Sequence, residues 1–213
     1  MLKFYFAPLS INARRVWIAL LEKQIPFEPI LLNLDGDQCS AEFTKINPLQ
    51  RVPVVIDDEL ILVESLAILD YLEAQYPATA LLPHDVNAIA IVRMICMICL
   101  TDLQPATIPL TKQLVGLPVE AATVQTAQQR IIQILQFFEG LDDLTGNTFT
   151  LADIVAGTLV SSVPMFGISM ASFPKLTAWL ERLSARESFQ QTAPSPDQIQ
   201  AALPNLKKIL ETR

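Results

Sequence analysis

Two patterns of apolar and polar residues divide the chain. In the first third, short stretches alternate apolar with polar residues or are continuously apolar, which is typical of buried or half-buried strands. Further along, apolar residues recur every three or four positions, which is typical of helices that bury one side. The first pattern predicts strands at residues 3–6, 27–34, 52–56 and 60–63.

Helical spacing also occurs within this first third. It predicts one helix over residues 12–23 and another over residues 64–76. Ser10 or Asn12 is placed to cap the first helix, and Pro77 ends the second. Each helix therefore follows a predicted strand.

The order of these elements predicts the fold class. The first two strands are joined through a helix, a connection that is almost always right-handed. The last two are joined by an acidic turn at residues 57–59, which makes them a hairpin. This βαβ–ββα order is that of a thioredoxin-like domain, so residues 1–77 are predicted to form an α/β domain.

Residues 77–87 form a polar, proline-containing connection, which we interpret as a domain boundary. Beyond it no alternating stretch occurs, so residues 88–213 are predicted to form an all-helical C-terminal domain. Its predicted helices lie at residues 88–103, 111–115, 121–141 and 206–210.

The second predicted domain contains one strong local signal, Thr150 followed three residues later by Asp153. In a capping box of this spacing, each side chain bonds to the other residue's free backbone N–H. A helix is therefore predicted to begin just after Thr150. Residues 145–147 are predicted to form a short turn, and the Pro-, Gln- and Ser-rich residues 191–204 a loop.

Charge and hydropathy exclude two classes of partner. The net formal charge is −7, and Lys and Arg form no long run. Nucleic-acid surfaces require clustered Lys and Arg, so no nucleic-acid partner is expected. Pro8 and the Arg14-Arg15 pair interrupt the apolar start of the chain. The apolar residues 89–100 fall short of the roughly 20 residues of a membrane span, so a cytoplasmic protein without a membrane partner is expected.

Cysteine and histidine are too few for a disulfide framework or a metal site. The three cysteines are Cys39, Cys96 and Cys99, an odd number that suits a reducing compartment. Cys96 and Cys99 have the spacing of a redox pair, but their apolar surroundings favour packing. His84 is the only histidine, and no metal ligand lies near it in sequence. We predict no metal and no bound cofactor.

The stretch from Arg51 to Pro53 has features of a binding segment. Pro53 lacks the N–H that a central strand would use, so the ladder of a sheet stops at the residue before it. The backbone groups of Val52 are therefore predicted to be available to an extended peptide, which would pair as an added strand. The bond before a proline also tolerates the cis form.

Two motifs resemble a known family. The Asn-Pro-x-x-x-Val-Pro-x-Val stretch at residues 47–55 and the Glu-Ser-x-Ala-Ile stretch at residues 64–68 resemble the glutathione-binding half of soluble glutathione S-transferases, similar to the serine-type phi and theta classes. The Phe-Thr-Leu-Ala-Asp-Ile stretch at residues 149–154 is similar to the start of the core helix in that family's helical domain. The resemblance therefore covers nearly the whole chain.

The resemblance implies how glutathione is held. The Val52 backbone, next to Pro53, would pair with the cysteinyl unit, and Glu64 and Ser65 would hold the γ-glutamyl end. Arg51 stands where the family often has Gln or Lys, and its guanidinium is suited to clamp the glycyl carboxylate. The basic residues that the family commonly has after the second strand are absent, since residues 35–38 are acidic there.

Three residues compete to stabilise the glutathione thiolate, which is the nucleophilic form of a thiol. Residues 7–16 resemble the segment in which a serine activates the thiol, and this places the role on Ser10. Tyr5 lies one residue out of register with the motif of the tyrosine-type classes. Asn12 is a third donor, although it also suits a helix cap. The register favours Ser10, and a serine there argues against the thiol-disulfide exchange of cysteine-type members.

The function implied is conjugation of glutathione, as co-substrate, to small apolar electrophiles. The electrophile pocket is expected between Leu9 and Ile11 on one side and Leu103 and Thr107 on the other, where Pro105, Pro109 and Pro118 are predicted to break the helix. The alternative is a glutathione-binding or assembly module that kept the fold and lost turnover. A homodimer is expected by resemblance, with apolar residues 89–100 at its seam.

Overall fold

A computed structural model describes residues 1–33, 35–141 and 148–211. Two compact units are present, Met1–Leu81 with Ser188–Asn205, and Leu82–Glu187 with Leu206–Arg213. The predicted domain bounds, 1–77 and 88–213, remain predictions. The predicted turn at residues 145–147 and the predicted end of the second strand at Leu34 lie outside the described residues.

A mixed sheet forms the centre of the first unit. Its four strands are β1 (Leu2–Phe6), β2 (Phe27–Leu31), β3 (Val54–Asp57) and β4 (Leu60–Val63), in the order β2-β1-β3-β4. β1 runs parallel to β2 and antiparallel to β3, which is antiparallel to β4. The apolar residues of β1 alternate into the core, where Phe4 is fully buried. The four predicted strands are present, and β3 begins two residues later than predicted because Pro53 precedes its ladder.

Residues 1–81, which belong to the same unit as the sheet, contain the α-helices α1 (Ile11–Glu22), α2 (Ala41–Ile46) and α3 (Ser65–Gln75). The sequence pattern did not predict α2. It has six residues, of which only Phe43 is buried, so it is too short to produce a recognisable period. The Ser40 hydroxyl caps it by accepting a hydrogen bond from the Phe43 amide (3.2 Å).

The second unit is built from helices. Among the described residues they include α4 (Val86–Ile98), a π-helical turn (Cys99–Leu103), α5 (Gln104–Leu114), α6 (Ala121–Glu139), α7 (Leu151–Val160), a 3-10 helix (Val163–Phe166) and α8 (Pro174–Ser184). Every residue of α7 is buried, and Thr150 and Asp153 form the predicted capping box at its start.

The prediction that Pro105 and Pro109 break the helix is wrong. Helical structure runs without interruption from α4 through the π-helical turn into α5, and Pro109 lies inside α5. A proline inside a helix costs about 3 kcal/mol or more. Leu103 and Leu110 are buried on either side of Pro109, and this packing opposes the cost.

This continuous stretch, Val86–Leu114, has 29 residues, and an 18-residue segment of it has a mean hydropathy of 1.9. By length and composition alone it is long and apolar enough to cross a membrane. The apolar segment predicted from the sequence, residues 89–100, is therefore shorter than the observed apolar helical stretch. Core helices of soluble proteins can have the same length and composition.

The predicted loop at residues 191–204 is wrong except at residues 193–195, which join two helices. Helix α9 (Glu187–Thr192) is followed by α10 (Pro196–Glu211). The Ser195 hydroxyl accepts a hydrogen bond from the Gln198 amide (3.2 Å), and the Gln198 side chain accepts one from the Ser195 amide (2.8 Å). This is a capping box, and proline is well tolerated directly after it.

Candidate functional site

The register of the sheet brings three predicted segments to one edge. Tyr5 in β1 pairs with Val54 in β3, which pairs with Val63 in β4. The turn after β1, the segment before β3 and the segment after β4 therefore all emerge at this edge. Because neighbouring strands lie about 4.8 Å apart, the three segments span about 10 Å. Ser10, residues 51–53 and residues 64–65 belong to these segments.

Ser10 is the N-cap residue of α1. Its Oγ accepts a hydrogen bond from the Ala13 amide (3.2 Å), and its carbonyl accepts one from the Arg14 amide (2.8 Å). A hydroxyl that accepts one hydrogen bond still has its own proton to donate. The partly exposed Ser10 hydroxyl is thus suited to donate to an anion at the positive end of α1.

The two alternatives to Ser10 are placed differently. Tyr5 lies within β1, and its half-buried ring packs 5.8 Å, centroid to centroid, from that of Phe43. The Asn12 side-chain oxygen accepts a hydrogen bond from Nη1 of the fully buried Arg15 (2.8 Å). One polar atom of Asn12 is therefore already engaged in holding a buried guanidinium.

Val52 precedes a cis peptide bond to Pro53. Its side chain is buried, and among the described residues no hydrogen-bond partner is found for its amide or its carbonyl. These two groups are the pair that an extended peptide uses when it adds to a sheet edge.

The loop before Val52 is held by Asn47, a residue to which the sequence analysis gave no role. Its side-chain nitrogen donates to the Arg51 carbonyl (2.7 Å), and its side-chain oxygen accepts from the Leu49 amide (3.0 Å). Asn47 is buried, and a buried side-chain amide requires such partners. Burial cannot be read from sequence, although the place of Asn47 in the motif is a signal that could have identified it.

Glu64 and Ser65 form the start of α3. Glu64 has φ 69° and ψ 119°, and a residue other than glycine held at positive φ costs about 1–3 kcal/mol. Ser65 is 4% exposed, and the side chain of Glu64, the N-cap residue, makes no capping hydrogen bond. Free amide groups at a helix N-terminus favour an anion, so this end of α3 is suited to a carboxylate.

Arg51 is exposed, and within the described part of the chain its guanidinium has no hydrogen bond or ion pair. It is therefore available to a second carboxylate at the same edge of the sheet, where a bidentate pair would form.

The residues predicted to line the electrophile pocket differ in exposure. Leu9 is exposed and Ile11 half-buried. Leu103 is fully buried, and the Thr107 hydroxyl donates to the Gln104 carbonyl (2.7 Å). The pocket itself stays a prediction.

Two family models match the chain. The model described as Glutathione S-transferase, N-terminal domain, matches residues 4–80. The model described as Glutathione S-transferase, C-terminal domain, matches residues 94–187. The first match contains all three segments at the sheet edge, and the second includes the start of α7.

Curated relatives align over most of the chain. Glutathione S-transferase Z1 of Arabidopsis thaliana is 32% identical over 208 residues, which cover 91% of this chain and 91% of that protein. Maleylacetoacetate isomerase of Rattus norvegicus is 33% identical over 188 residues, which cover 84% of this chain and 86% of that protein. Both names are those of enzymes, in agreement with the enzyme predicted from the sequence.

A solved structure is similar as well. A glutathione transferase homologue from sulfitobacter, determined with bound glutathione, has a TM-score of 0.76 at 26% identity and covers 90% of this chain and 96% of that one. The likeness confirms the predicted fold class, a thioredoxin-like domain followed by a helical domain. By its sequence and its fold, the chain belongs to the glutathione S-transferase family.

Proposed function

We propose that this chain is a glutathione transferase that binds glutathione, its co-substrate, at the common edge of β1, β3 and β4. The observation that carries the proposal is the sheet register, which brings the turn leading to Ser10, the open backbone of Val52 and the start of α3 together. Their span of about 10 Å suits an extended tripeptide, which covers about 3.3 Å per residue.

Each part of glutathione has a matching group. The Val52 amide and carbonyl pair with the backbone of the cysteinyl unit. The α3 N-terminus and the Ser65 hydroxyl receive the γ-glutamyl carboxylate, and the exposed Glu64 carboxylate receives the γ-glutamyl amino group. Arg51 binds the glycyl carboxylate. Both ends of the peptide are then fixed by charge, and its centre is fixed by backbone hydrogen bonds.

The Ser10 hydroxyl stabilises the thiolate. An unperturbed thiol has a pKa near 8.5, and lowering it by about two units requires about 2.7 kcal/mol of preferential stabilisation of the anion. A hydrogen bond to a charged group contributes about 1.5–3 kcal/mol, and a helix N-terminus adds about 0.3–1 kcal/mol. Ser10 at the N-terminus of α1 is therefore sufficient.

Two reactions suit such a thiolate. Conjugation to a small apolar electrophile is the transferase reaction. The name of the rat relative, maleylacetoacetate isomerase, favours a second candidate, isomerisation of a maleyl double bond. There the thiolate adds to an activated C=C bond, the resulting single bond rotates, and elimination returns the thiolate and the isomerised double bond.

We also propose a cytoplasmic homodimer. The support for the dimer is the exposure of the apolar side chains of Ile91 and Met97 on α4, which a second copy of the chain would remove from water. Sedimentation of the protein at micromolar concentration measures its mass, and a monomer would contradict the dimer.

The function is tested by the pH–rate profile and by ultraviolet titration of the bound thiolate in Ser10→Ala and Tyr5→Phe. Ser10→Ala is expected to raise the thiolate pKa by about one to two units, which corresponds to about 1.4–2.7 kcal/mol. Turnover at neutral pH then falls and recovers in part at higher pH. A shift in Tyr5→Phe alone would move the role to Tyr5, and no shift in either would point to Asn12 or a backbone donor.

Three substrates distinguish the two reactions. Turnover of chlorodinitrobenzene or an isothiocyanate indicates conjugation, and turnover of a maleyl compound indicates isomerisation. Retention of the protein on immobilised glutathione without turnover of any of these substrates would contradict the proposed catalytic activity and favour a binding module.

A further inference from the structure

The C-terminal segment Ser188–Asn205 belongs to the unit that holds the sheet, although it is more than 100 residues away from that unit in sequence. Its first turn is attached to α1 at two places. Arg14, near the start of α1, contacts Phe189 and Thr192. At the last residue of α1, the Glu22 carboxylate accepts a hydrogen bond from the Ser188 hydroxyl. We call residues 188–192 the strap.

Arg14 makes three contacts with the strap. Its Nε donates to Oγ1 of Thr192 (3.2 Å), and its Nη2 donates to the carbonyl of Phe189 (3.2 Å). The guanidinium carbon lies 5.6 Å from the centroid of the Phe189 ring. Phe189 lies in the last four residues of α9, and its carbonyl also accepts a hydrogen bond from the Thr192 hydroxyl (3.5 Å). Arg14 therefore caps the C-terminus of α9 with a cation, which the helix dipole favours.

The contact is shielded from water. Phe189 and Thr192 are both buried, and burial lowers the pKa of the Arg14 guanidinium below its usual value. The Thr192 hydroxyl accepts from Arg14 and donates to the Ser188 carbonyl (2.8 Å). Arg14 is thus held in one orientation by acceptors that are themselves fixed within the strap.

A backbone hydrogen bond connects Arg14 to Ser10. The Arg14 amide donates to the Ser10 carbonyl (2.8 Å), and the Ala13 amide donates to the Ser10 hydroxyl oxygen (3.2 Å). Residues 10–14 are therefore one closed helical turn. One end of that turn carries the Ser10 hydroxyl, and the other end carries the side chain that is anchored to the strap.

We propose that Arg14 is a positioning residue, which anchors the first turn of α1 to the strap and so holds the Ser10 hydroxyl where it meets the glutathione thiolate. The proposal rests on the role proposed above for Ser10. A displacement of about 1 Å at a reacting group can cost a rate factor of about 100, so the anchor affects chemistry without touching glutathione.

The main test variant is Arg14→Met, which keeps much of the apolar stem and removes both hydrogen bonds. We expect the pKa of bound glutathione to rise by about half a unit to one unit from the value near 6.5 proposed above, so that thiolate and kcat at pH 7 fall about 1.5- to 3-fold. The KM for glutathione should change less than about twofold, because the groups that bind its two ends are untouched. Arg14→Lys keeps a cation that reaches one acceptor, and it should restore part of the loss.

Ser188→Ala is the matched control. It removes the attachment of the same strap at the far end of α1, and it should leave the pKa of bound glutathione unchanged. An unchanged thiolate pKa in Arg14→Met, or an equal shift in Ser188→Ala, would overturn the proposal. If Arg14→Met does not fold, Thr192→Val decides in its place, because it removes one acceptor at nearly constant volume.

The double variant Ser10→Ala/Arg14→Met separates this proposal from the one on which it rests. If Arg14 acts through Ser10, the pKa shift of the double variant equals that of Ser10→Ala alone. Additive shifts would overturn the positioning role. No shift in Ser10→Ala would instead refute the role of Ser10 itself. A shift in Ser10→Ala with none in Arg14→Met would refute only the role of Arg14.

Discussion

The buried carboxylate of Asp153 connects the start of α7 to α8. Its Oδ2 accepts hydrogen bonds from the amide (2.7 Å) and the hydroxyl (3.1 Å) of Thr150. Its Oδ1 accepts one from the indole Nε1 of Trp179 (2.8 Å). Asp153, Thr150 and Trp179 are all buried, so water does not readily replace these bonds.

Asp153→Ala is expected to lower the free energy of unfolding by about 3–5 kcal/mol. The Thr150 amide and the Trp179 indole both lose the acceptor described above, and a buried donor left without an acceptor costs about 1–3 kcal/mol. The Thr150 hydroxyl still accepts from the Ala152 amide (3.2 Å), so part of the cap remains. A loss of this size is a large share of the roughly 5–15 kcal/mol that stabilises a typical protein.

Trp179→Phe provides the comparison. It removes the indole donor and leaves Asp153 bonded to Thr150, so we expect a loss of about 1–3 kcal/mol. In a double-mutant cycle the two positions should show a coupling energy of about 1.5–3 kcal/mol, the range for a hydrogen bond to a charged group.

Urea unfolding followed by circular dichroism measures these differences, provided that the m-value is unchanged between variants. A loss below about 1 kcal/mol in Asp153→Ala, or a coupling energy near zero, would refute the reasoning that this carboxylate holds the two helices together.

Three further predictions concern the first unit. Ser65→Ala should weaken glutathione binding by about 1–3 kcal/mol in calorimetry, because a hydrogen bond to a carboxylate is lost. The Tyr76 hydroxyl donates to Asp57 (2.8 Å), and burial together with this hydrogen bond raises the Tyr76 pKa to about 12. The protonated Tyr76 therefore stabilises the fold below pH 10, and this contribution is lost as pH rises from about 10 to about 12. In alkaline unfolding, the free energy of unfolding of Tyr76→Phe should therefore decline less steeply over this pH range than that of the unmodified protein. The Lys23 ammonium is buried and pairs with Glu73 (2.9 Å), so Glu73→Gln should cost about 3–5 kcal/mol in urea unfolding.

Each of the three has an outcome that contradicts it. Unchanged glutathione affinity in Ser65→Ala would show that the hydroxyl does not reach the carboxylate, whereas Ser65→Thr, which keeps a hydroxyl, should bind more tightly than Ser65→Ala. Superimposable alkaline curves would exclude the stabilising role of the Tyr76 hydroxyl. Replacing both partners, Lys23→Met with Glu73→Gln, should recover much of the loss, and a further loss would contradict the ion-pair argument.

The sequence alone determined those features that depend on neighbouring residues. The alternation of apolar and polar residues predicted β1, because successive side chains of a strand point to opposite faces of the sheet. Thr150 and Asp153 predicted the start of α7 because a capping box is closed within four residues. The Val52-Pro53 and Glu64-Ser65 motifs indicated the family for the same reason, since each motif occupies a short stretch of chain.

Tertiary structure alone decided how these local pieces meet. The pairing of Tyr5 with Val54, and of Val54 with Val63, puts the candidate site residues at one sheet edge, and no single stretch of sequence contains that register. The strap returns to α1 through contacts of Arg14 with residues 175 and 178 positions away. Helix α5 continues through Pro109 and α10 through Pro204. In α5 the unfavourable local propensity of proline is overcome by the burial of apolar residues against distant parts of the chain.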